Sequence, residues 1–214
     1  MPKKQQAVTI HPYYFSTTKQ VLDAVLSLLL FVVSLPIFLC IGIIIFITVG
    51  GPIFFTQQRM GRYKKPFTIF KFRTMHVSAE KVRHKLMELN ETPAPMFKME
   101  YDPRFVGIGR WLSKVGLDEL PQLLNVLRNE MSLIGPRPLP VSEAQKLSSE
   151  WDFRYAVLPG IFSEWALSKD KFISQKKWIS IEQKMLSVGS PLLDIQILYT
   201  IILKQVQLLI ASFR

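Results

Sequence analysis

The feature that most constrains this chain is a long apolar segment near its beginning. Residues 21–49 read VLDAVLSLLLFVVSLPIFLCIGIIIFITV, and Asp23 is the only charged residue among them. About 20 apolar residues suffice to cross the hydrocarbon core of a bilayer. The segment is longer than the apolar part of a secretory signal, and no typical cleavage site follows it. We therefore expect a membrane protein rather than one that is soluble throughout.

The topology of this segment is left open by its flanks, because both are basic. Lys and Arg collect on cytoplasmic flanks, so a simple span should be lopsided. Pro36 removes a helical hydrogen bond and bends the axis, and Ser34 is placed to bond a freed carbonyl. The pattern alone favours a plain span over a segment that breaks and returns to the same face. The flanking cations are Lys3, Lys4 and Lys19 on one side, and Arg59, Arg62, Lys64, Lys65, Lys71 and Arg73 on the other.

The net charge of +11 indicates anionic partners. These are lipid headgroups or a phosphate-bearing substrate on one view, and nucleic acid on the other. The membrane segment favours the first view. We predict no nucleic-acid binding, because the cations are spread along loops rather than concentrated on one reading element. The single cysteine, Cys40, excludes an intrachain disulfide.

The rest of the chain predicts an α+β fold that is mostly helical. Within residues 52–73, the runs IFFTQ and FTIFKF are separated by a basic turn that contains glycine, which is typical of a β-hairpin. Helical patterns occupy residues 76–92, the stretch from 118 onward, and residues 141–156. Three prolines in residues 131–140 allow at most a short strand there. The apolar tail, residues 192–213, predicts a helix against the core or along the membrane interface.

Two adjacent acids, Asp118 and Glu119, stand at the start of an apolar run in GLDELPQLLNVL, residues 116–127. An acid in a first helical turn usually caps the helix, since it accepts a hydrogen bond from a free N–H and gains from the dipole. Helix starts also bind phosphate, and an aspartate can attack phosphorus. The residues alone leave both explanations open, a cap or a nucleophile with its neighbour.

Two basic motifs are candidates for binding phosphate. In GPRP, residues 135–138, two prolines restrict the backbone around Arg137, and a guanidinium held in this way suits a bidentate phosphate contact. A solvated turn is the alternative. In KFRTM, residues 71–75, a strand would place Lys71 and Arg73 on one face. Basic residues on a strand edge also discourage aggregation, so this motif does not decide by itself.

Taken in order, these stretches resemble a known family. They are the Pro-broken apolar segment, PIFFTQQRMGRYKKPFTIFKFRTM, DPR, LDELPQLLNVLRNEMSLIGPRP, and Arg154 followed by LPG. The chain is similar over residues 16–160 to the bacterial sugar transferases, the small monotopic phosphoglycosyl transferases that begin glycan assembly on a polyprenyl carrier.

The resemblance implies an activity and a role for each candidate residue. Family members transfer a sugar 1-phosphate from a nucleotide sugar, usually UDP-linked, to polyprenyl phosphate and release UMP. Asp118 would be the nucleophile, Glu119 its partner in the dyad, and Mg²⁺ would sit at Asp118 and the diphosphate. The phosphate and nucleotide pocket would be lined by Lys71, Arg73, Arg137 and Pro138.

The resemblance also implies a topology and a location. The membrane helix would break at Ser34 and Pro36 and return, so that residues 1–50 form a tail and re-entrant helix. Residues 51–214 would form a catalytic domain with interfacial helices on the cytoplasmic face of the bacterial inner membrane. Partners would be a UDP-sugar, polyprenyl phosphate and the anionic bilayer, and a homodimer is compatible with this arrangement.

A rival hypothesis is a non-catalytic binding or assembly module anchored in the membrane and derived from this family. Its support is the stretch at residues 161–171, where Glu164 and Asp170 intrude into a region that the family fills differently.

Overall fold

The computed structural model describes residues 9–92, 96–167 and 174–212. This part of the chain is mostly helical, as predicted. The α-helices are α1 (Thr17–Val49), α2 (Ala79–Val82), α3 (Gly109–Val115), α4 (Leu123–Leu127), α5 (Val141–Ala144), α6 (Glu164–Leu167), α7 (Gln175–Ser187) and α8 (Pro191–Ala211). The strands are β1 (Phe54–Met60), β2 (Pro66–Phe72), β3 (Ser132–Ile134) and β4 (Gly160–Phe162). Short 3₁₀ segments cover Pro12–Phe15, Arg62–Lys64, Arg83–Leu89, Leu117–Gln122 and Ser149–Ala156.

Helix α1 dominates the first quarter of the chain. It is helical through Pro36, so Ser34 and Pro36 do not end it. A proline inside a helix can bend the axis without ending the helix, so re-entry at this point stays a prediction. The proline removes only one backbone hydrogen bond, and the bonds of the neighbouring turns hold the helix together. The Ser34 hydroxyl donates to the carbonyl of Phe31 at 3.1 Å, next to the carbonyl that Pro36 leaves free.

One narrow stripe of α1 is buried along its whole length. The stripe is polar in the first half of the helix and apolar in the second, and its spacing follows the helical period. The rest of the surface exposes large apolar side chains, and at 1.5 Å per residue the helix is about 50 Å long. The buried residues are Lys19, Asp23, Ser27, Ser34, Ile41 and Ile45. The body of the protein therefore packs beside α1 rather than at one end of it.

The N-terminal end of α1 is bonded to distant parts of the chain. Lys19 Nζ lies 2.9 Å from Asp23 and 2.7 Å from Asp194 on α8. Asp23 also accepts a hydrogen bond from the backbone N–H of Leu133 on β3 at 3.1 Å, and Tyr13 donates its hydroxyl hydrogen to Asp194 at 2.9 Å. All three charged groups are buried, and each of them has a partner of opposite charge, as burial requires.

The C-terminal end of α1 is held by Arg73. Its guanidinium donates to the carbonyls of Gly51 at 2.7 Å and Val49 at 3.0 Å, and also to that of Gly50. These carbonyls lie at the end of the helix, where intrahelical donors run out. Strand β2 ends at Phe72, so the alternation that predicted a shared face for Lys71 and Arg73 does not extend to Arg73. Arg73 is a helix-end ligand in this fold.

The predicted hairpin is confirmed. β1 and β2 are antiparallel, with Phe54 opposite Phe72 and Met60 opposite Pro66. A fully buried asparagine on α4, Asn125, fixes the hairpin to the body. Its Oδ1 accepts from the N–H of Phe70 at 3.2 Å, and its Nδ2 donates to the carbonyl of Thr68 at 2.7 Å.

A second, parallel sheet was not predicted. β3 pairs with β4 over three residues each, too short for the sequence pattern to indicate among the surrounding prolines. The two backbone segments approach each other very closely at Gly135 and Gly160. A Cβ on Gly160 would lie 2.1 Å from the Gly135 nitrogen, so only glycine fits there.

Of the predicted helices, the tail is confirmed as α8, which lies within residues 192–213 except for its first residue. The stretch 76–92 forms one short α-helix followed by a 3₁₀ segment. The stretches after 118 and within 141–156 are likewise divided between 3₁₀ and short α segments, because prolines and short runs limit their length.

We expect Asn125→Ala to destabilise the fold by about 1–3 kcal/mol, because it leaves the partly buried N–H of Phe70 and carbonyl of Thr68 without their partner. Gln58→Ala is the matched control. Gln58 donates to the Thr68 hydroxyl on the exposed side of the hairpin, and its loss should cost less than about 0.5 kcal/mol. Thermal unfolding in detergent, followed by tryptophan fluorescence, measures both. Equal losses in the two variants would contradict the assigned role of Asn125.

Candidate active site

Asp118 and Glu119 lie on the 3₁₀ segment Leu117–Gln122, between α3 and α4. The chain enters this segment through Gly116, whose φ of 81° is left-handed and favours glycine. Helix α4 begins only at Leu123, so the acids do not cap it. The carboxylate of Asp118 is buried, at 5% exposure of the residue. A buried acid that caps no helix is a candidate for chemistry.

Glu119 is the centre of an ionic cluster that joins three elements. Its Oε1 lies 2.6 Å from Lys71 Nζ on β2 and 2.8 Å from Arg137 Nη2 on the loop after β3. The side chains of Lys71 and Glu119 are 16% and 17% exposed, so this charge is largely shielded from water. The structure thus brings together Lys71, Arg137 and the two acids, four of the residues singled out in the sequence.

Asp118 is left with weaker compensation. Lys71 Nζ lies 3.8 Å from its Oδ2, beyond hydrogen-bonding distance. Burial raises the pKa of Asp118 to about 6; Lys71 opposes the rise and the charge of Glu119 adds to it. Burial also acts to raise the pKa of Glu119, but Arg137 and Lys71 outweigh it and hold that pKa below its usual range. The two carboxyls therefore differ in their environment: the charged form of Glu119 is stabilised by two cations, whereas burial dominates at Asp118 and raises its pKa.

The backbone around Arg137 is firmly held, as the flanking prolines indicated. The carbonyl of Pro138 accepts from Arg59 Nη1 at 3.0 Å, and that of Leu139 accepts from the N–H of Met60 at 2.9 Å. The carbonyl of Pro136 accepts from the N–H of Gly160 at 2.9 Å. Pro138 contributes through its backbone in these contacts. The loop is therefore a rigid support for a guanidinium.

Arg73, in contrast, has its guanidinium on the carbonyls that end α1, and the structure does not place it in the ionic cluster. Two other charged residues near the cluster, Arg154 and Glu182, had no predicted role. Arg154 was noted only as part of a motif, and Glu182 is one acid in a helix whose sequence carries no special signal. Of the altered stretch at 161–171, Glu164 begins α6, and Asp170 lies outside the described residues.

Within the described ranges, no group of three or more His, Cys, Asp or Glu side chains could hold a metal by itself. Asp118 nevertheless fits a magnesium ion that arrives with its substrate, because Mg²⁺ usually takes one or two carboxylates and fills its remaining positions with phosphate and water. Glu119 is already engaged by two cations, so Asp118 is the carboxylate with ligand capacity.

The opposite pKa shifts predict opposite effects on stability. Between its unfolded value and about 6, Asp118 binds more proton in the folded state, so its ionisation costs stability as the pH rises. Asp118→Asn should therefore stabilise the protein at pH 7.5, by roughly 1–3 kcal/mol, and the gain should shrink towards pH 4.

Glu119→Gln is the matched control, one residue away and with the same chemical change. The lowered pKa of Glu119 contributes stability that is present above its unfolded value and lost on acidification. This variant should be destabilised at pH 7.5, and less so at pH 4. Thermal unfolding at both pH values tests the pair, and a loss of stability in Asp118→Asn at pH 7.5 would contradict the assignment.

Sequence comparison finds relatives of this chain among known proteins. The chain is similar to the galactosyl transferase CpsE of Streptococcus agalactiae serotype III, with 44% identity over 119 residues, which is 56% of this chain and 26% of that protein. It is 34% identical over 155 residues to the undecaprenyl-phosphate galactose phosphotransferase of Salmonella typhimurium, covering 70% of this chain and 32% of that protein. It is 30% identical over 186 residues to the exopolysaccharide production protein ExoY of Sinorhizobium fredii, covering 85% and 82%.

The chain thus spans about a quarter to a third of the first two relatives and most of the third. The sequence model of a family described as "Bacterial sugar transferase" matches residues 14–207, which include α1, the hairpin, the acid pair and most of α8. The chain belongs to the bacterial sugar transferase family.

Proposed function

We propose that this protein transfers a sugar 1-phosphate from a UDP-sugar to polyprenyl phosphate, releases UMP, and proceeds through a covalent aspartyl-phosphosugar intermediate. The observation that carries the proposal is the acid pair, in which the largely shielded Glu119 holds both cations and the buried Asp118 remains a carboxylate of raised pKa. The names of the relatives from Salmonella and Sinorhizobium, a phosphotransferase on undecaprenyl phosphate and an exopolysaccharide protein, agree with this chemistry.

In the first half-reaction, an oxygen of Asp118 attacks the sugar-bearing phosphorus of the donor. The new bond joins that oxygen to phosphorus, and the bond that breaks joins the same phosphorus to the bridging oxygen, which leaves on UMP. Lys71 and Arg137 border the acid pair and would offset the negative charge of the diphosphate. At neutral pH most of Asp118 is ionised, so the nucleophile needs no separate base.

In the second half-reaction, a phosphate oxygen of the polyprenyl carrier attacks the same phosphorus. The bond from phosphorus to the Asp118 oxygen breaks, which regenerates the free carboxylate and leaves the sugar on a lipid diphosphate. Each half-reaction exchanges one phosphorus–oxygen bond for another, so charge and atoms balance. Two displacements at one site give ping-pong kinetics.

A magnesium ion bound with the donor would be held by Asp118 and would supply charge neutralisation for the diphosphate. Glu119 would not bind the metal ion; it would hold Lys71 and Arg137 beside Asp118, the acid that reacts.

We further propose that the chain enters the bacterial inner membrane from the cytoplasmic face and does not cross it. Both ends of α1 are bonded to the charged body, through Asp194 at one end and Arg73 at the other. A perpendicular span would separate these ends by the thickness of the bilayer and draw the body into hydrocarbon. A re-entrant arrangement keeps the body, and with it the active site, at the headgroup level.

Exposed apolar surface supports the same arrangement. By length and composition, both α1 and α8 could lie in a membrane. Each exposes a row of large apolar side chains, among them Val25, Leu29, Val33 and Ile37 on α1 and Leu192, Ile195, Tyr199 and Val206 on α8. The net charge of +11 would favour an anionic leaflet. The polyprenyl phosphate would then reach Asp118 from the lipid phase.

The activity is tested by measuring UMP release from a panel of UDP-sugars with Mg²⁺ and polyprenyl phosphate in detergent. One sugar should support turnover, and Asp118→Asn should lower the rate by about 10³-fold or more, as expected for loss of a nucleophile. Without the carrier lipid, the wild type should release at most about one UMP per enzyme molecule, the signature of the first half-reaction.

Asp152→Asn is the matched control for this assay. Asp152 is an exposed acid paired with Lys64, and its replacement should leave the rate within about twofold. A folded wild type that releases no UMP from any UDP-sugar would contradict the proposed activity and favour the membrane-anchored binding module. Full activity in Asp118→Asn would exclude the covalent mechanism.

The topology is tested by cysteine labelling. In a Cys40→Ser background, Thr18→Cys reports the start of α1 and Tyr63→Cys reports the body; both positions are exposed. A membrane-impermeant maleimide should label neither cysteine in spheroplasts and both in inside-out vesicles, with permeabilised spheroplasts as the reactivity control. Labelling of Thr18→Cys alone in spheroplasts would show that α1 crosses the bilayer.

A further inference from the structure

We propose that Arg154 and Glu182 are positioning residues that fix the peptide of Arg137 and so set the placement of its guanidinium at the reaction site. This inference rests on the proposed function, since it assigns Arg137 to the donor phosphate. Neither residue touches the acid pair, and both would act through Arg137.

Arg154 is hydrogen-bonded to the backbone of Arg137. Arg154 Nη2 donates to the carbonyl of Arg137 at 2.6 Å. The guanidinium of Arg137 extends from the same residue to Glu119, at 2.8 Å. The main chain of Arg137 is therefore held by Arg154, while its side chain binds Glu119.

Arg154 is itself anchored by an ion pair with Glu182. Arg154 Nη2 lies 2.9 Å from Glu182 Oε1, and the side chains of the two residues are 2% and 0% exposed. Trp178 donates from its indole nitrogen to the same carboxylate oxygen at 2.8 Å. Burial raises the pKa of Glu182, while Arg154, Trp178 and the backbone of Arg137 oppose the rise. The anchor is supplied by α7, about 45 residues further along the chain than Arg137.

Three aromatic rings surround the guanidinium of Arg154. The guanidinium carbon of Arg154 lies 5.4 Å from the ring centre of Trp151, 5.7 Å from that of Trp178 and 6.0 Å from that of Tyr155. Three rings and one carboxylate leave the arginine little freedom. The position of the Arg154 guanidinium is thus fixed by contacts other than its hydrogen bond to Arg137.

A buried ion pair adds little stability compared with apolar residues of similar size, because both charges lose their water. Arg154 Nη1 and Glu182 Oε2 are buried without hydrogen-bond partners in the structure, so this pair is not arranged for the largest number of bonds. The pair does contact the backbone of Arg137, through the hydrogen bond from Arg154 to its carbonyl, and this is the contact that positioning requires.

The test is a double-mutant cycle between Glu182→Gln and Arg137→Gln, measured as kcat/KM for UMP release. In the wild-type background Glu182→Gln should lower kcat/KM by about tenfold, and in the Arg137→Gln background by less than about twofold. The restored charge of Glu182→Asp should recover part of the loss. Equal losses in both backgrounds would overturn the inference, because the effect would then not pass through Arg137.

Met185→Ala is the matched control for a purely structural effect. Met185 is fully buried on the same helix, but it packs in a different hydrophobic cluster from the one that contains Trp151, Tyr155 and Trp178. It should lower the melting temperature and change kcat/KM by the same factor in both backgrounds.

A second readout does not depend on activity. Hydrogen–deuterium exchange of a peptide covering residues 131–139 should quicken in Glu182→Gln and stay unchanged in Met185→Ala, since only the first releases the loop. Unchanged exchange in Glu182→Gln would overturn the inference. If the wild type released no UMP but Glu182→Gln still exchanged faster than the wild type at residues 131–139, the positioning contact would be supported. Only the proposed activity would then be rejected.

Discussion

The shared use of Glu119 by Lys71 and Arg137 is the interaction on which the site depends. A carboxylate at this depth would be expensive to ionise alone, and two cations from separate elements make it a permanent anion. Both cations lie closer to Glu119 than to Asp118, whose pKa is raised by burial. The ion pairs of Glu119 therefore join β2 to the loop after β3 and also leave Asp118 as the less compensated of the two carboxylates.

The supports behind this contact are mostly main-chain bonds made by buried polar side chains. Asn125 fixes β2, Arg59 and Arg154 fix the loop of Arg137, and the close approach at Gly135 and Gly160 sets the height of that loop. Such bonds place a reacting group more firmly than side-chain packing alone, because a backbone carbonyl can move little without moving the segment. The site is thus rigid although much of it lies on short segments.

Local patterns predicted what local physics decides. The hairpin followed from two β-favouring runs and a turn, the tail helix from its apolar period, and the grouping of the acids with Lys71 from the resemblance. Arg73 was misplaced because the alternation argument needs a strand, and β2 ends one residue earlier. Glu182 could not be found in this way, since its role depends on a contact with Arg154, which only the folded chain creates.

The bond between Lys19 and Asp194 also imposes an order of events during synthesis. The two residues are separated by most of the chain, and a ribosome adds about 5–20 residues per second, so Asp194 appears roughly 10–35 s after Lys19. During that interval α1 is already complete, and Lys19 can pair with Asp23 within the helix. The contact that ties the start of α1 to α8 can therefore form only when nearly the whole chain has been synthesised.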